Sequence, residues 1–259
     1  MINQATYRFF LIVKLMLLSI VLLGQLQYHD SSNVNFVEDI DGNNYRTIQI
    51  DSQIWFAENL KTTRYKDGTP IMFPAADNQQ WSTNNIGAYA YYDNETELKD
   101  IYGALYNWYA INNTKGICPK GWSVPKSKDW EILIAQTGGR FDAGGNWKIT
   151  CTEFWNGIYI AKHNESCTTP KRNCCAPTEV TSLNTGATNL SGFSAYPAGD
   201  RASFGSYNGI NIYSVWWSAT QNDEQEAIIY TIGYDRTDVI RMFMDKRFGF
   251  SVRCIKNME

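Results

Sequence analysis

Histidine is nearly absent: His29 and His163 are the only two in 259 residues. A serine or cysteine nucleophile of the triad type needs an imidazole beside it. One of these histidines follows the N-terminal apolar run and the other sits in a cysteine-rich stretch, so neither is placed to serve. The chain also lacks a block of Lys and Arg. Its 23 basic residues face 26 acidic ones, a formal net charge of -3, and nothing in that balance offers a basic stripe to nucleic-acid phosphates. No Gly-x-Gly-x-x-Gly follows a strand pattern and no Walker loop occurs, so the usual backbone cradle for nucleotide phosphates is missing. No internal repeat of solenoid or propeller length is present. Proline is scarce as well, at 7 residues against 19 Gly; with 44% hydrophobic residues the composition is that of a folded domain, not of a disordered or low-complexity chain. Carboxylate-pair hydrolysis stays open, although no motif singles out two of the 26 acids.

Long hydrophobic runs are limited to one. Arg8 and Lys14 flank an apolar stretch that ends Leu15, Met16, Leu17, Leu18, Ser19, Ile20, Val21, Leu22, Leu23. At about 1.5 Å per residue the part after Lys14 is too short to cross a bilayer, whereas the hydrophobic region of an export signal needs only about 7 to 15 residues. Residues 1–24 therefore read as a signal peptide with cleavage after Gly24, against the competing reading of an uncleaved anchor starting at Phe9. The nearest cysteine is Cys118, which disfavours an acylated lipoprotein. The mature protein is expected to have no membrane span and to be secreted or held at the cell surface.

What the chain does have is six cysteines, Cys118, Cys151, Cys167, Cys174, Cys175 and Cys254, and many aromatics, with 16 Tyr and 9 Trp. An even number of cysteines behind an export signal points to disulfides. From Asn33 to Tyr65 the pattern is a β-meander: Val34, Phe36 and Val37, then Asp41-Gly42, then Tyr45, Ile48 and Ile50, then Asp51-Ser52, then Ile54, Trp55 and Phe56. Asp39, Asp41 and Asn43 superficially match the start of a calcium loop, but Gly42 falls at the wrong place and no Glu closes a twelve-residue loop, so they are read as turn formers. Asp67 to Asn94 is loop-like.

Leu98, Ile101, Tyr102, Leu105, Tyr106 and Tyr109 recur at three- and four-residue steps, which predicts an amphipathic helix ending near Asn112-Asn113. A second helix is announced at Ser127, with Asp129 and Glu131 in its first turn, Trp130, Leu133 and Ile134 on its buried face, and Gly138-Gly139 at its end. Cys151 to Asn184 carries four cysteines and little periodicity and is read as an inserted, cross-linked loop. Strands are expected at Phe193 to Tyr196, Val215 to Ala219, Ala227 to Tyr234, Val239 to Met244 and Phe248 to Ile255. The total is an α+β domain over residues 33–259: two helices among antiparallel strands.

Seven segments carry a resemblance. They are Asp39-Ile40-Asp41-Gly42-Asn43 with Tyr45; Trp55-Phe56-Ala57-Glu58-Asn59-Leu60-Lys61; Tyr102-Gly103-Ala104-Leu105-Tyr106-Asn107-Trp108; Cys118-Pro119-Lys120-Gly121-Trp122 with Val124-Pro125; Gly192-Phe193-Ser194-Ala195; Trp216-Trp217-Ser218; and Gly249-Phe250-Ser251-Val252-Arg253-Cys254. In this order they resemble the Fibrobacter succinogenes major paralogous domain, common in secreted proteins of Bacteroidetes and Fibrobacter. More remotely they look like the formylglycine-generating enzyme family. That likeness implies a C-type-lectin-like, disulfide-tied fold. It does not imply the oxidation, which needs two closely spaced copper-binding thiols late in the chain, where this sequence has only Cys254 beyond Cys175.

The same resemblance implies a bond between Cys118 and Cys254, which would stabilise the fold by about 5 kcal/mol in the chain-entropy picture. Cys151, Cys167, Cys174 and Cys175 depart from the family pattern. Local disulfides, a metal site with His163 and free thiols are the readings open to them, and spacing disfavours the metal. In lectin-like folds, loops near the late strands hold ligands, and here that region contains Trp217, Asn222, Asp223, Glu224 and Glu226, with calcium a conceivable cofactor. A solvated acidic loop and core packing of Trp216-Trp217 are the competing expectations. Asp200 and Arg201 are read as a surface ion pair or turn residues. The leading functional expectation is a non-enzymatic adhesion or binding module for an extracellular glycan, polysaccharide or protein. An enzyme on a formylglycine-generating-like scaffold and a structural envelope protein are the alternatives.

Overall fold

Alternating inward and outward side chains over residues 36–56 build a meander. In the computed structural model, which describes residues 35–151, 153–157 and 184–258, β1 (Phe36–Glu38) pairs antiparallel with β2 (Asn44–Ile50), and β2 with β3 (Gln53–Phe56). The acidic turn between β1 and β2 is structural, as expected: the Asp39 carboxylate accepts the Asp41 N–H at 2.9 Å, the Asn43 N–H at 3.0 Å and the Tyr45 hydroxyl at 2.6 Å. Two short strands complete this sheet, β6 (Trp122–Ser123) and the chain-terminal β12 (Ile255–Lys256), in the order β1-β2-β3-β12-β6. The end of the chain is thus held between strands that precede it by more than half the domain.

A second five-stranded sheet has the order β11-β10-β9-β7-β8 and comprises β7 (Ala198–Arg201), β8 (Tyr207–Ile210), β9 (Tyr213–Gln221), β10 (Glu226–Gly233) and β11 (Ile240–Asp245). All neighbours are antiparallel except β7 and β9. Phe193 to Tyr196 is not a strand. The carbonyls of Phe193 and Ser194 accept from the Arg253 guanidinium at 2.8 and 3.1 Å, which takes them away from a ladder, and Ser194 has φ 54°. Phe248 to Ile255 likewise becomes a strand only at its end. Gly249, Phe250 and Ser251 bridge singly to Arg201, Tyr106 and Trp216 as the chain passes between the two sheets.

The first expected helix does not form as one piece. Thr96–Leu98 is a 3-10 turn and α2 spans only Lys99–Tyr102; α1, a single turn at Asn78–Ser82, precedes it in the loop-like region and is capped by Asp77. Gly103 ends α2 at φ 77°, and a Cβ there would lie 2.6 Å from Asn59 Cβ and 2.9 Å from the Leu60 carbonyl oxygen. Leu105–Tyr106 then forms β5, paired with β4 (Tyr89–Ala90), and Asn107 caps a further turn, α3 (Trp108–Ile111), by accepting the Ala110 N–H.

The second expected helix is present as α4 (Ser127–Gln136), with Trp130 and Leu133 buried. It starts one residue earlier than expected: Lys126 is the cap, its N–H donates to the Asp129 carboxylate at 2.8 Å, and the Ser127 hydroxyl pairs with Tyr230. A short α5 (Ala143–Trp147) follows. No helix among the described residues is long and apolar enough to cross a membrane. The expected signal peptide, residues 1–24, lies outside the described residues, as does most of the cysteine-rich insertion.

Neighbouring side chains on a strand point to opposite faces. On β9 this sends Trp216 into a cluster with Trp55, Trp130, Trp147 and Phe193, and Trp217 into another with Tyr106, Trp108, Trp122 and Phe250. Both clusters pack against the same strand, so β9 is the shared wall of two aromatic cores. Burying rings of this size is the largest apolar contribution a residue can make. The disulfide implied by the resemblance is present, Cys118 to Cys254, and it fastens β12 to the segment leading into β6.

Candidate functional site

The expected binding loop is the β9-β10 hairpin, and it closes on itself. The N–H groups of Asn222 and Asp223 donate to the Glu226 carbonyl at 2.9 and 3.2 Å, while Asp223 Oδ1 accepts from the N–H of Gln225 and of Glu226, each at 2.8 Å. These backbone donors hold the Asp223 carboxyl below its ordinary pKa. Lys246, 4% exposed, fills the loop from inside: its ammonium donates to the carbonyls of Asp223 at 2.6 Å and Glu224 at 2.9 Å and lies 4.6 Å from the centre of the Trp108 ring. Two backbone carbonyls of the loop are thus turned toward a cation supplied by the chain. Among the described residues no group of three or more His, Cys, Asp or Glu side chains converges in a way that could hold a metal ion.

Trp217 is 0% exposed, and its indole N–H donates to the Tyr106 carbonyl at 2.8 Å, so it has no ring face to offer a ligand. Core packing, the competing expectation, is what the structure contains. Glu224 and Asn222 remain on the surface of the hairpin.

Asp200 and Arg201 are neither exposed nor paired with each other; both are buried in β7. Asp200 accepts from the Tyr213 hydroxyl and from Asn208 Nδ2, and burial pushes its carboxyl up. Arg201 donates to the Gly205 carbonyl at 3.2 Å and to Asn78 Oδ1 at 3.0 Å and stacks 4.4 Å from the Trp81 ring. Arg201 fixes the second sheet to α1, while Asp200 ties β7 to β8 and β9 within it. Of the insertion cysteines, Cys151 is disulfide-bonded, while Cys167, Cys174 and Cys175 lie outside the described residues, as do both histidines.

A concavity lies elsewhere, where β6, β12 and the start of α4 meet the loop before Cys118. It is an open trough of about 560 Å³. Ile117, Trp122, Val124 and Ile255 form its apolar floor, and Lys66, Lys126, Lys256, Ser123 and Asp129 stand among its polar lining. A smaller hollow of about 240 Å³ adjoins it, sharing Lys66, Ile117 and Cys118 and adding Glu38 and Lys120.

Local backbone chemistry sets these positions. Lys66 donates its N–H to the Gly116 carbonyl at 2.9 Å, and its stem lies across Gly116, where a Cβ would fall 2.4 Å from Lys66 Cε. Lys126 is fixed by the Asp129 cap, and Lys256 by the pairing of β12 with β6. Several surface cations elsewhere are ion-paired, as in Arg46 with Glu58, Lys61 with Asp100 and Lys115 with Asp67. Among the described residues, no carboxylate lies within ion-pair distance of Lys66, Lys120, Lys126 or Lys256.

The lining holds Ser123 but no imidazole, and Cys118 is locked in its disulfide. Sequence reasoning missed the trough because its lysines, Lys66, Lys126 and Lys256, come from three separate stretches. The one available signal was the Cys118-to-Pro125 motif, which supplies Trp122 and Val124 to it.

Comparison with known proteins gives one match: the model of the Fibrobacter succinogenes major domain matches residues 48–256. No curated protein matches significantly, and no solved structure does.

Proposed function

The chain belongs to the Fibrobacter succinogenes major domain family, and on that premise we propose that it is a non-enzymatic binding or adhesion module, secreted or held at the cell surface, whose ligand is an extracellular glycan, polysaccharide or protein. One observation carries this reading. The open trough over Trp122 combines an apolar floor with unpaired lysines and lacks a nucleophile-base pair, which is the make-up of a surface that holds rather than transforms. Export is supported by the signal-like N-terminus and by a disulfide joining distant parts of the chain, a bond characteristic of oxidising compartments. A C-type-lectin-like assignment of the scaffold is supported by the disulfide that ties the last strand and by the single long helix packed on mainly antiparallel sheets.

The enzyme alternative finds no comparable support, since Cys254, the only cysteine late in the chain, is bonded to Cys118 and leaves no thiol pair there. The test is a glycan array probed with the secreted full chain, with and without EDTA, alongside a turnover assay on a thiol peptide. Binding that persists in EDTA, with no turnover, is the expected result. Metal-dependent turnover would replace the proposal with the enzyme reading.

A further inference from the structure

We propose that the trough is a docking site for an acidic, carboxylate-bearing polysaccharide. This rests on the binding-module reading above and adds the ligand's chemistry and place.

The charge balance of the trough is opposite to that of the chain. The whole sequence carries a formal -3, yet the larger hollow sets three lysines, Lys66, Lys126 and Lys256, against one carboxylate, Asp129. That carboxylate is already accepting the Lys126 N–H at 2.8 Å. In the adjoining hollow Lys120 stands near Glu38 and Asp39, and Asp39 is occupied by its turn and the Tyr45 hydroxyl. Ammonium groups left unpaired around a low-dielectric concavity focus a positive field into it and recruit anions.

Shape selects among anions. A volume of about 560 Å³ is far larger than an inorganic ion needs and falls in the range of organic ligand sites. The trough is open, so a polymer can enter and leave it. Apolar lining from Ile117, Trp122, Val124 and Ile255 suits the C–H faces of sugar rings, and the lysines of the same lining suit their carboxylates.

An acidic peptide adding as a strand is disfavoured. The edge strand β6 has only two residues, both paired with β12, and the Trp122 N–H already donates to the Pro119 carbonyl at 3.0 Å. Strand addition needs a row of free backbone groups.

The experiment is equilibrium binding of the full chain to polygalacturonate, with dextran and poly-glutamate as comparison polymers, at low and at physiological salt. The expected result is binding to polygalacturonate that weakens with salt, falls about three- to fivefold for each of Lys66→Gln, Lys126→Gln and Lys256→Gln, and is lost in the triple variant. Lys128→Gln, on the same helix but outside the trough, is expected to bind as the native chain does. A second variant, Gly116→Ala, displaces the Lys66 stem and should weaken binding without removing a charge. Near-ultraviolet circular dichroism verifies that each variant is folded, and any that is not is replaced by the corresponding Lys→Arg series, in which binding is expected to persist.

Equal binding to dextran, an unaffected triple variant, or binding to poly-glutamate alone would each overturn the proposal. So would the absence of binding to polygalacturonate. If neutral glycans on the array are still bound in that last case, the binding-module reading survives and only the acidic-ligand inference fails.

Discussion

Arg253 donates from Nε to Oδ1 of Asn59 across 2.7 Å, with both side chains buried. The same Asn59 oxygen accepts the Trp216 indole N–H at 2.9 Å, and Asn59 Nδ2 donates to the Tyr102 carbonyl at 2.9 Å. One amide thus joins the end of the first meander, the turn before β5, the central strand β9 and the last segment of the chain. Among the described residues no carboxylate forms an ion pair with Arg253; its other donors go to the carbonyls of Phe56, Phe193 and Ser194, and burial lowers its pKa to about 9. Replacing Asn59 by Ala leaves a buried charge and a buried indole short of an acceptor. The expected loss is about 2–4 kcal/mol, measured by denaturant unfolding, with Asn59→Asp less damaging because it keeps the acceptor.

The bond between Cys118 and Cys254 closes a loop of 136 residues. Cys118→Ala with Cys254→Ala is expected to cost about 3–5 kcal/mol in unfolding free energy. Reductant should lower the melting temperature of the native chain toward that of the double variant.

Gly103 sits at φ 77° with the Leu60 carbonyl 2.9 Å from where a Cβ would be. Gly103→Ala therefore combines left-handed strain with a backbone clash, and a destabilisation of at least about 2 kcal/mol is expected in thermal or denaturant melts. Gly42→Ala, in open space at φ 81°, should cost less.

Asp200 supplies a pH dependence. Burial raises its carboxyl above the ordinary value, so the folded state binds the proton more tightly than the unfolded chain. Its contribution to stability is then full below about pH 3.9 and is lost as pH rises through the folded-state value. In Asp200→Asn that pH-dependent loss is absent, so relative to native the variant gains stability as pH rises from about 4 toward neutrality. Paired denaturation curves across that interval check the sign.

Several of these features were readable from residues alone. The meander was, because Tyr45, Ile50 and Trp55 alternate around Asp-Gly and Asp-Ser turns, and so was α4, because Asp129, Trp130 and Leu133 fit one capped amphipathic turn after another. The segment from Leu98 to Tyr109 misled: its spacing matches a helix, yet Leu105 and Tyr106 are both buried as a two-residue strand, and the helix ends where Gly103 turns to φ 77° and the Ala104 N–H donates to the Leu60 carbonyl at 2.9 Å, a tertiary contact. Asp200 and Arg201 look like surface residues in sequence because nothing local reveals that Tyr213, Asn78 and Trp81 will cover them. The oxygen-rich loop at Asn222 was located correctly as a loop. Its occupation from within by Lys246, more than twenty residues later, depends on the β10-β11 pairing. The trough was invisible for a related reason: Lys66, Lys126 and Lys256 meet only because β12 returns to lie beside β6.

The most direct test of the proposed ligand site is an amide chemical-shift titration of the isotopically labelled protein with tri-galacturonate. The account predicts saturable shifts at Lys66, Ser123, Lys126 and Lys256 and quiet signals from Asn222 to Glu226. Shifts concentrated in that hairpin, or none at any concentration, would contradict it.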